Sequence, residues 1–397
     1  LHTGHARIRH NRASNGELVG LRPADLTVAE ALKGAGYATA IFGKWHLGEG
    51  STSGTPNKKG FDEFFGHINE ATDLYYPEFQ WRNEETEWIE ENRGGKKSVY
   101  SQDLFTREAL RFIEAHADES FFLYLPYDFP HAGSKFVEHE PDNRLYVPTD
   151  EPYGEEDWPQ VEKNFAAMVT RLDGDVGKIV RRLKELGLDE NTIVFFSSDN
   201  GPHDEGGHEP GFFESAGPLR GIKRDLYEGG IRVPMIARWP GTIEAGVVSD
   251  QVWASWDLLP TAAELAGARL PADRQFDGIS MLPSLLGEPQ QDHGLLYWEF
   301  PTEKTFHQAV RMDTWKGLRD GYSSEIRLYD LTQDLSEEDD VANRHPEIVA
   351  EIARIMEAEH TESEDFPIRD DGEIIVPEAN VSGSTGSARP DSGGMPA

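Results

Sequence analysis

The 397-residue chain contains no cysteine, which excludes disulfides and thiolate metal sites. That absence leaves secretion open, because a core of the size this length allows needs no covalent staples. No apolar run approaches the length needed to cross a bilayer, so the sequence holds no transmembrane helix. Basic residues are scarce as well: 38 Lys and Arg stand against 72 Asp and Glu, a formal net charge of −34. Long-range repulsion then disfavours nucleic acid and anionic membranes as partners, and the charge suits solubility where ionic strength screens it. Against these absences, 37% hydrophobic and 10% aromatic residues describe a globular chain.

The first half alternates helical and strand patterns, which predicts an α/β fold with a mainly parallel sheet covered on both faces. Thr27-x-x-Glu30 has the form of a capping box opening a helix that runs out near Gly34 and Gly36, before a strand over Tyr37–Phe42 that ends at Gly43. Leu104, Phe105, Ala109, Phe112 and Ile113 form a helical stripe, followed by a strand over Phe121–Leu125. A long amphipathic helix from Val161 to Leu186 leads to a strand over Thr192–Ser198, and a further strand is expected over Val233–Trp239. After a helix over Trp256–Gly267, short strand-like runs at Leu295–Phe300, Gln308–Met312, Trp315–Arg319 and Arg327–Leu331 predict a small antiparallel sheet, with a helix around Pro346–Glu359. The division expected is 1–287, 288–360 and a disordered Ser/Gly/Pro-rich tail over 361–397.

Three strands end in polar clusters: Lys44 with His46, His131 after Pro130, and Asp199 with Asn200. Parallel strands place their carboxyl ends on one sheet edge, so the three clusters can converge. Taken singly, each has a plainer reading. Lys44 and His46 can be a polar loop, His131 a structural histidine, and Asp199-Asn200-Gly201 an ordinary turn. Asp199 and Asn200 also offer adjacent oxygen ligands to a hard cation such as Ca²⁺. Lys223 can be a solvated surface residue or an anion ligand, and His203 and His208 can be loop residues or contacts to a leaving group. In a protein this acidic, an anion site needs locally gathered cations, and Lys44, His131, Arg220, Lys223, Arg224 and Arg232 lie in or near these clusters.

The run from Gly36 to Gly48, containing Gly43-Lys44-Trp45-His46, resembles the second signature of the sulfatase family, and Leu1-His2-Thr3-Gly4 is similar to the tail of the first. Further similarity lies in Asp199-Asn200-Gly201, in Lys223 a few residues before Glu228-Gly229-Gly230-Ile231-Arg232-Val233-Pro234, and in Trp256-Asp257-Leu258-Leu259-Pro260-Thr261, Asp277-Gly278-Ile279-Ser280 and Leu328-Tyr329-Asp330-Leu331. The segments Tyr75-Tyr76-Pro77 and Trp81-Arg82-Asn83, with the His-rich loop after Asp199, are similar to bacterial sulfatases acting on sulfated sugars.

The resemblance implies an alkaline-phosphatase-like fold and hydrolysis of a sulfuric ester of a sugar or an aryl alcohol. It implies Lys44, His46, His131 and Lys223 as catalytic residues, His203, His208 and Arg220 on the substrate side, and Asp199 and Asn200 as half of a Ca²⁺ site. The family nucleophile, a formylglycine made from Cys or Ser, and the Asp pair completing the metal site have no counterpart in this sequence. A chain opening on Leu1 is therefore expected to be an N-terminally truncated, inactive piece with an unpaired slot in its sheet and low stability. The expected partner is a sulfated small molecule or polysaccharide, and the expected location is the periplasm or the exterior. The rival expectations are a phosphate or phosphonate ester hydrolase of the same superfamily, and an inactive protein that only binds sulfated glycan.

Overall fold

The computed structural model of the chain describes residues 20–50, 52–69, 72–134, 144–301 and 306–361. Leu1-His2-Thr3-Gly4 and, beyond Thr361, the tail expected to be disordered lie outside the described residues.

Helix α1 (Val28–Gly34) begins at the expected capping box: Thr27 Oγ1 accepts the Glu30 N–H at 3.1 Å, and Glu30 Oε2 accepts the Thr27 N–H at 2.9 Å. Strand β1 (Ala38–Lys44) follows, with Ala40, Ile41 and Phe42 fully buried. It continues through Gly43 instead of ending there, because glycine is what the neighbouring chains require. A Cβ on Gly43 would meet Pro126 O at 2.3 Å, and one on Gly66 of the next strand would meet Gly43 O at 1.9 Å. Three segments thereby close together directly beneath Lys44.

Strand β2 (Glu63–His67) and the hairpin of β3 (Phe79–Arg82) and β4 (Glu85–Trp88) were not legible in the hydrophobic pattern, being short and, in the hairpin, rich in charge. Helix α2 (Ser101–Ala115) leads to β5 (Phe121–Tyr124). The resulting sheet has the order β4-β3-β2-β1-β5, with β2, β1 and β5 parallel and the β3–β4 hairpin antiparallel. Helix α2 covers one face through edge-on ring contacts, Phe112 on Phe42 and Phe105 on Phe65.

Helix α3 (Gln160–Glu185) leads to β6 (Val194–Ser197), and the short helix α4 (Glu228–Ile231) precedes β7 (Met235–Arg238). These two strands depart from the expected parallel arrangement: β6 pairs with β7 antiparallel, and among the described residues neither bonds to β5. Met235 and Ile236 are 39% and 58% exposed, an unusual place for apolar strand residues.

Helices α5 (Leu258–Ala266) and α6 (Leu282–Leu285) lead into β8 (Leu296–Pro301), β9 (Phe306–Met312), β10 (Trp315–Asp320) and β11 (Arg327–Asp330). These form the expected antiparallel sheet, in the order β11-β10-β9-β8. Helix α7 (Pro346–Glu359) covers one face, packing Ile352, Ile355 and Met356 on Val310 and Leu328. The other face, carrying Ala309, Leu318 and Tyr329, rests on Leu226 and Tyr227. The C-terminal sheet therefore backs the segment that carries Lys223.

Candidate active site

Lys44 is the last residue of β1 and pairs in register with His67, the last residue of β2. Its N–H bonds to Pro126 O at 3.0 Å, tying it to the chain leaving β5. Two residues beyond that carbonyl is Asp128, fully buried, with Oδ1 2.9 Å from His67 Nε2 and Oδ2 accepting from Gln102 Nε2 at 2.9 Å. Burial alone would push this carboxyl up; the His67 ring, the Lys44 charge and the Gln102 amide outweigh it and hold Asp128 below the ordinary carboxylate range. A buried anion thus sits below the cation at the strand end, and neither Asp128 nor His67 was singled out from sequence.

Asp128 also begins the turn that presents His131. The turn contains a cis Phe129–Pro130 bond, the His131 N–H bonds back to Asp128 O at 2.6 Å, and the Tyr75 hydroxyl donates to His131 O. The His131 ring has Nδ1 2.6 Å from Ala132 O and Nε2 2.8 Å from Lys223 Nζ. An ammonium is a donor only, so Nε2 accepts and the ring is neutral, with its proton on Nδ1. Burial first, then the charges of Lys223 and Lys44, lower the His131 pKa to about 4.

Lys223 reaches this place because two loops interlock. Its N–H bonds to Pro202 O at 2.7 Å, Gly201 N–H bonds to Gly230 O at 2.9 Å, and Gly229 N–H bonds to Arg220 O at 2.6 Å. A Cβ on Gly201 would fall 1.8 Å from Gly229 O, which is why Asn200-Gly201 and Glu228-Gly229-Gly230 need their glycines. Lys223 Nζ also donates to Glu205 Oε2 at 3.0 Å, and Arg224 donates to Glu205 Oε1 at 2.6 Å. Glu205 Oε2 lies 3.4 Å from His131 Nε2. Burial opposes ionisation of Glu205, but Arg224, Lys223 and His131 together hold its pKa far below normal. Glu205 was not singled out from sequence; its signal is its closeness to the cations Lys223 and Arg224, which only folding creates.

The other expected site residues lie in different surroundings. His203 is buried, with Nε2 2.9 Å from Pro130 O and Nδ1 accepting the Glu205 N–H at 3.0 Å, so it fastens the loop to the His131 turn. His208 is 2% exposed, stacked 3.7 Å over Phe165, and its Nδ1 is 2.6 Å from Glu162 on α3. Its place is the anchoring of the loop, not the surface. Arg220 donates to Glu337 O at 2.7 Å and lies 4.1 Å over the Tyr227 ring, joining this segment to the C-terminal sheet. His46 follows Lys44 with a left-handed backbone, φ 57°, and its N–H bonds to Ile68 O at 2.9 Å.

Asp199 and Asn200 follow β6. Asp199 is exposed, and its charge adds to burial in raising the pKa of the half-buried Tyr124 of β5. Asn200 Nδ2 donates to Gly201 O at 2.8 Å, so its amide nitrogen is engaged and its amide oxygen is the atom with acceptor chemistry to offer. Two oxygen donors of this kind suit Ca²⁺, but its shell takes six to eight. Among the described residues no group of three or more His, Cys, Asp or Glu gathers with metal-site geometry. The donor chemistry fits and the donor number does not fill a shell.

The arrangement gathers Lys223, Arg224, His131 and Glu205 within reach of the Lys44 charge, on an α/β sheet backed by an antiparallel sheet. The sulfatase family profile matches residues 1–268, and the profile "N-sulphoglucosamine sulphohydrolase, C-terminal" matches 221–363. The chain belongs to the sulfatase family. It is 34% identical to an N-acetylgalactosamine-6-sulfatase of Mus musculus and 35% identical to an arylsulfatase of Hemicentrotus pulcherrimus, each over 75% of this chain. It spans 56% and 52% of those relatives' lengths. The crystal structure of Ps i-CgsB in complex with k-i-k-neocarrahexaose superposes with a TM-score of 0.73 at 28% identity, covering 88% of this chain and 77% of that one. The expected alkaline-phosphatase-like fold with its antiparallel subdomain is thereby established.

Proposed function

We propose that this protein is a sulfuric ester hydrolase acting on a sulfated sugar or aryl sulfate. The observation that carries the reading is the pair of cations Lys223 and Arg224 beside the neutral His131 ring, within reach of the Lys44 charge, in a protein of net charge −34. Such a concentration of positive charge opposes the field of the whole molecule and serves an anion. The names of the relatives, an N-acetylgalactosamine-6-sulfatase and an arylsulfatase, support the two ester classes.

In this reading Lys44 and Lys223 balance the charge gathering on the sulfate oxygens, the preorganised electrostatic term that dominates such reactions. His131 Nε2 is neutral in the resting site; a bound sulfate supplies the negative charge that raises its proton affinity, after which it donates to the departing oxygen. His46 is assigned to the proton transfer that releases product. Asp199 and Asn200 would hold Ca²⁺ in part, and a formylglycine of the family type would supply the nucleophile. We assign the catalytic role to a unit over 1–287 and a supporting role to one over 288–360, and we place the protein in the periplasm or outside the cell.

The test compares sulfate release from an aryl sulfate and a 6-sulfated hexosamine with phosphate release from the matched phosphate esters. Sulfate release lost in Lys44→Met and Lys223→Met supports the assignment. Faster phosphate release overturns it, and sulfate binding without turnover by a protein that also carries the formylglycine segment identifies a binding protein in place of an enzyme.

A further inference from the structure

Glu205 is out of place in an anion site. Its two carboxylate oxygens take the Arg224 guanidinium at 2.6 Å and Lys223 Nζ at 3.0 Å, and Oε2 is 3.4 Å from His131 Nε2. The two cations best placed to receive an oxyanion, Lys223 and Arg224, are already facing one.

We propose that Lys223 and Arg224 form the seat of one substrate oxyanion, that Arg224 is one of its ligands, and that Glu205 is a built-in anion occupying the seat until sulfate displaces it. The inference rests on the anion-site reading above and names a further binding residue for it.

Three observations separate Glu205 from a fixed structural carboxylate. Asp128 and Glu162, which hold histidines inside this protein, have side chains 0% and 2% exposed, whereas the Glu205 side chain is 20% exposed and open to exchange. Second, the Glu205 backbone is held independently of its carboxylate: its N–H bonds to His203 Nδ1 at 3.0 Å, and the adjoining Gly206 is buried against Ala132 and Arg144. The side chain can swing without moving the loop. Third, Arg224 holds its guanidinium on a left-handed backbone, φ 83°, a conformation that costs free energy in a non-glycine residue and clusters at ligand clamps. A carboxylate and one edge of a sulfate present two oxygens of similar bite, which an arginine fork accepts alike. Displacement then exchanges one anion for another at constant site charge, and Lys223 and Arg224 never face each other unscreened.

The probe is inorganic sulfate, titrated calorimetrically into the full chain near neutral pH. Glu205→Gln removes the competing charge while keeping side-chain shape, and it is expected to tighten sulfate about tenfold, the scale of one charge-assisted hydrogen bond no longer displaced. Asp204→Asn removes the same charge from the exposed neighbouring position and is expected to change affinity less than about twofold, as screened surface charges do. Arg224→Met is expected to weaken binding. Unchanged or weaker binding in Glu205→Gln overturns the inference; if sulfate still binds the parent and is lost in Lys223→Met, the anion-site reading survives that failure. Sulfate binding to none of these proteins overturns both. A sulfate-soaked crystal gives a second readout: Glu205 swung out with sulfate on Lys223 and Arg224 supports displacement, and Glu205 still seated with sulfate elsewhere overturns it.

Discussion

Lys223 Nζ lies 2.8 Å from His131 Nε2, although 92 residues separate the two in sequence. The contact fixes the resting state of both groups: a donor-only ammonium faces the lone pair of a neutral imidazole. Lys223→Met removes the largest charge acting on that ring, so the His131 pKa is expected to rise from about 4 towards its ordinary 6.5. Histidine C–H resonances followed through a pH titration would show the shift. Turnover of an aryl sulfate should fall in the same variant by about 10²–10³, the cost of losing one preorganised donor.

Acid should destabilise the fold from an unusually high pH. His131 is depressed in the folded state, so the unfolded chain binds its proton first, between pH 6.5 and about 4. The stability it contributes is full above 6.5 and lost as pH falls through about 4, up to about 3 kcal/mol. Glu205 and Asp128, also depressed, add stability that is present above their unfolded values of 4.5 and 3.8 and lost on further acidification. Urea midpoints at several pH values would trace the curve, and His131→Gln should flatten its upper part.

Removing Asp128 tests the buried base of the site. Asp128→Asn leaves His67 facing an amide and takes the counter-charge from beneath Lys44, an expected loss of about 3–5 kcal/mol for breaking a buried pair. Denaturant melts would measure it.

A second buried ion cluster joins the Lys223 segment to the C-terminal sheet. Lys316 Nζ, fully buried, is 2.7 Å from Glu228 Oε1 and 3.4 Å from Glu337 Oε1, and Glu228 N–H bonds to Glu337 Oε2 at 2.6 Å. Burial, opposed by Lys316, raises the Glu337 carboxyl above its ordinary value. Lys316→Met strands two acids in the interior and should cost about 3–5 kcal/mol in urea melts. Glu337→Gln keeps an acceptor for the Glu228 N–H and should cost clearly less.

Calcium should bind weakly through Asp199 and Asn200. With two protein oxygens, binding is expected to be weaker than the roughly 10⁻⁴–10⁻³ M of complete low-affinity Ca²⁺ sites. Thermal melts with and without Ca²⁺ would show a small upward shift that is absent in Asp199→Asn.

Much of the secondary structure was legible because its signals are local. The Thr27–Glu30 box opened α1, and the apolar period marked α7 at Pro346–Glu359. Gly43 misled, since a glycine that reads as a stop is here the residue that lets β1 pass close to Pro126 and Gly66. His208 could be read from sequence as a loop residue or as a contact to a leaving group; the fold buries it against Phe165 and Glu162, the latter 46 positions away.

The sequence by itself determined the family, most of the helices and the residue types, because periodicity, caps and motifs are written within a few neighbouring positions. Tertiary structure alone decided that Glu205 would face Lys223 and Arg224, that Asp128 would lie under Lys44, and that Arg220 would turn to Glu337, 117 residues away. Charge pairing depends on distances of a few ångströms, and those distances are set by which strands and loops the fold lays side by side.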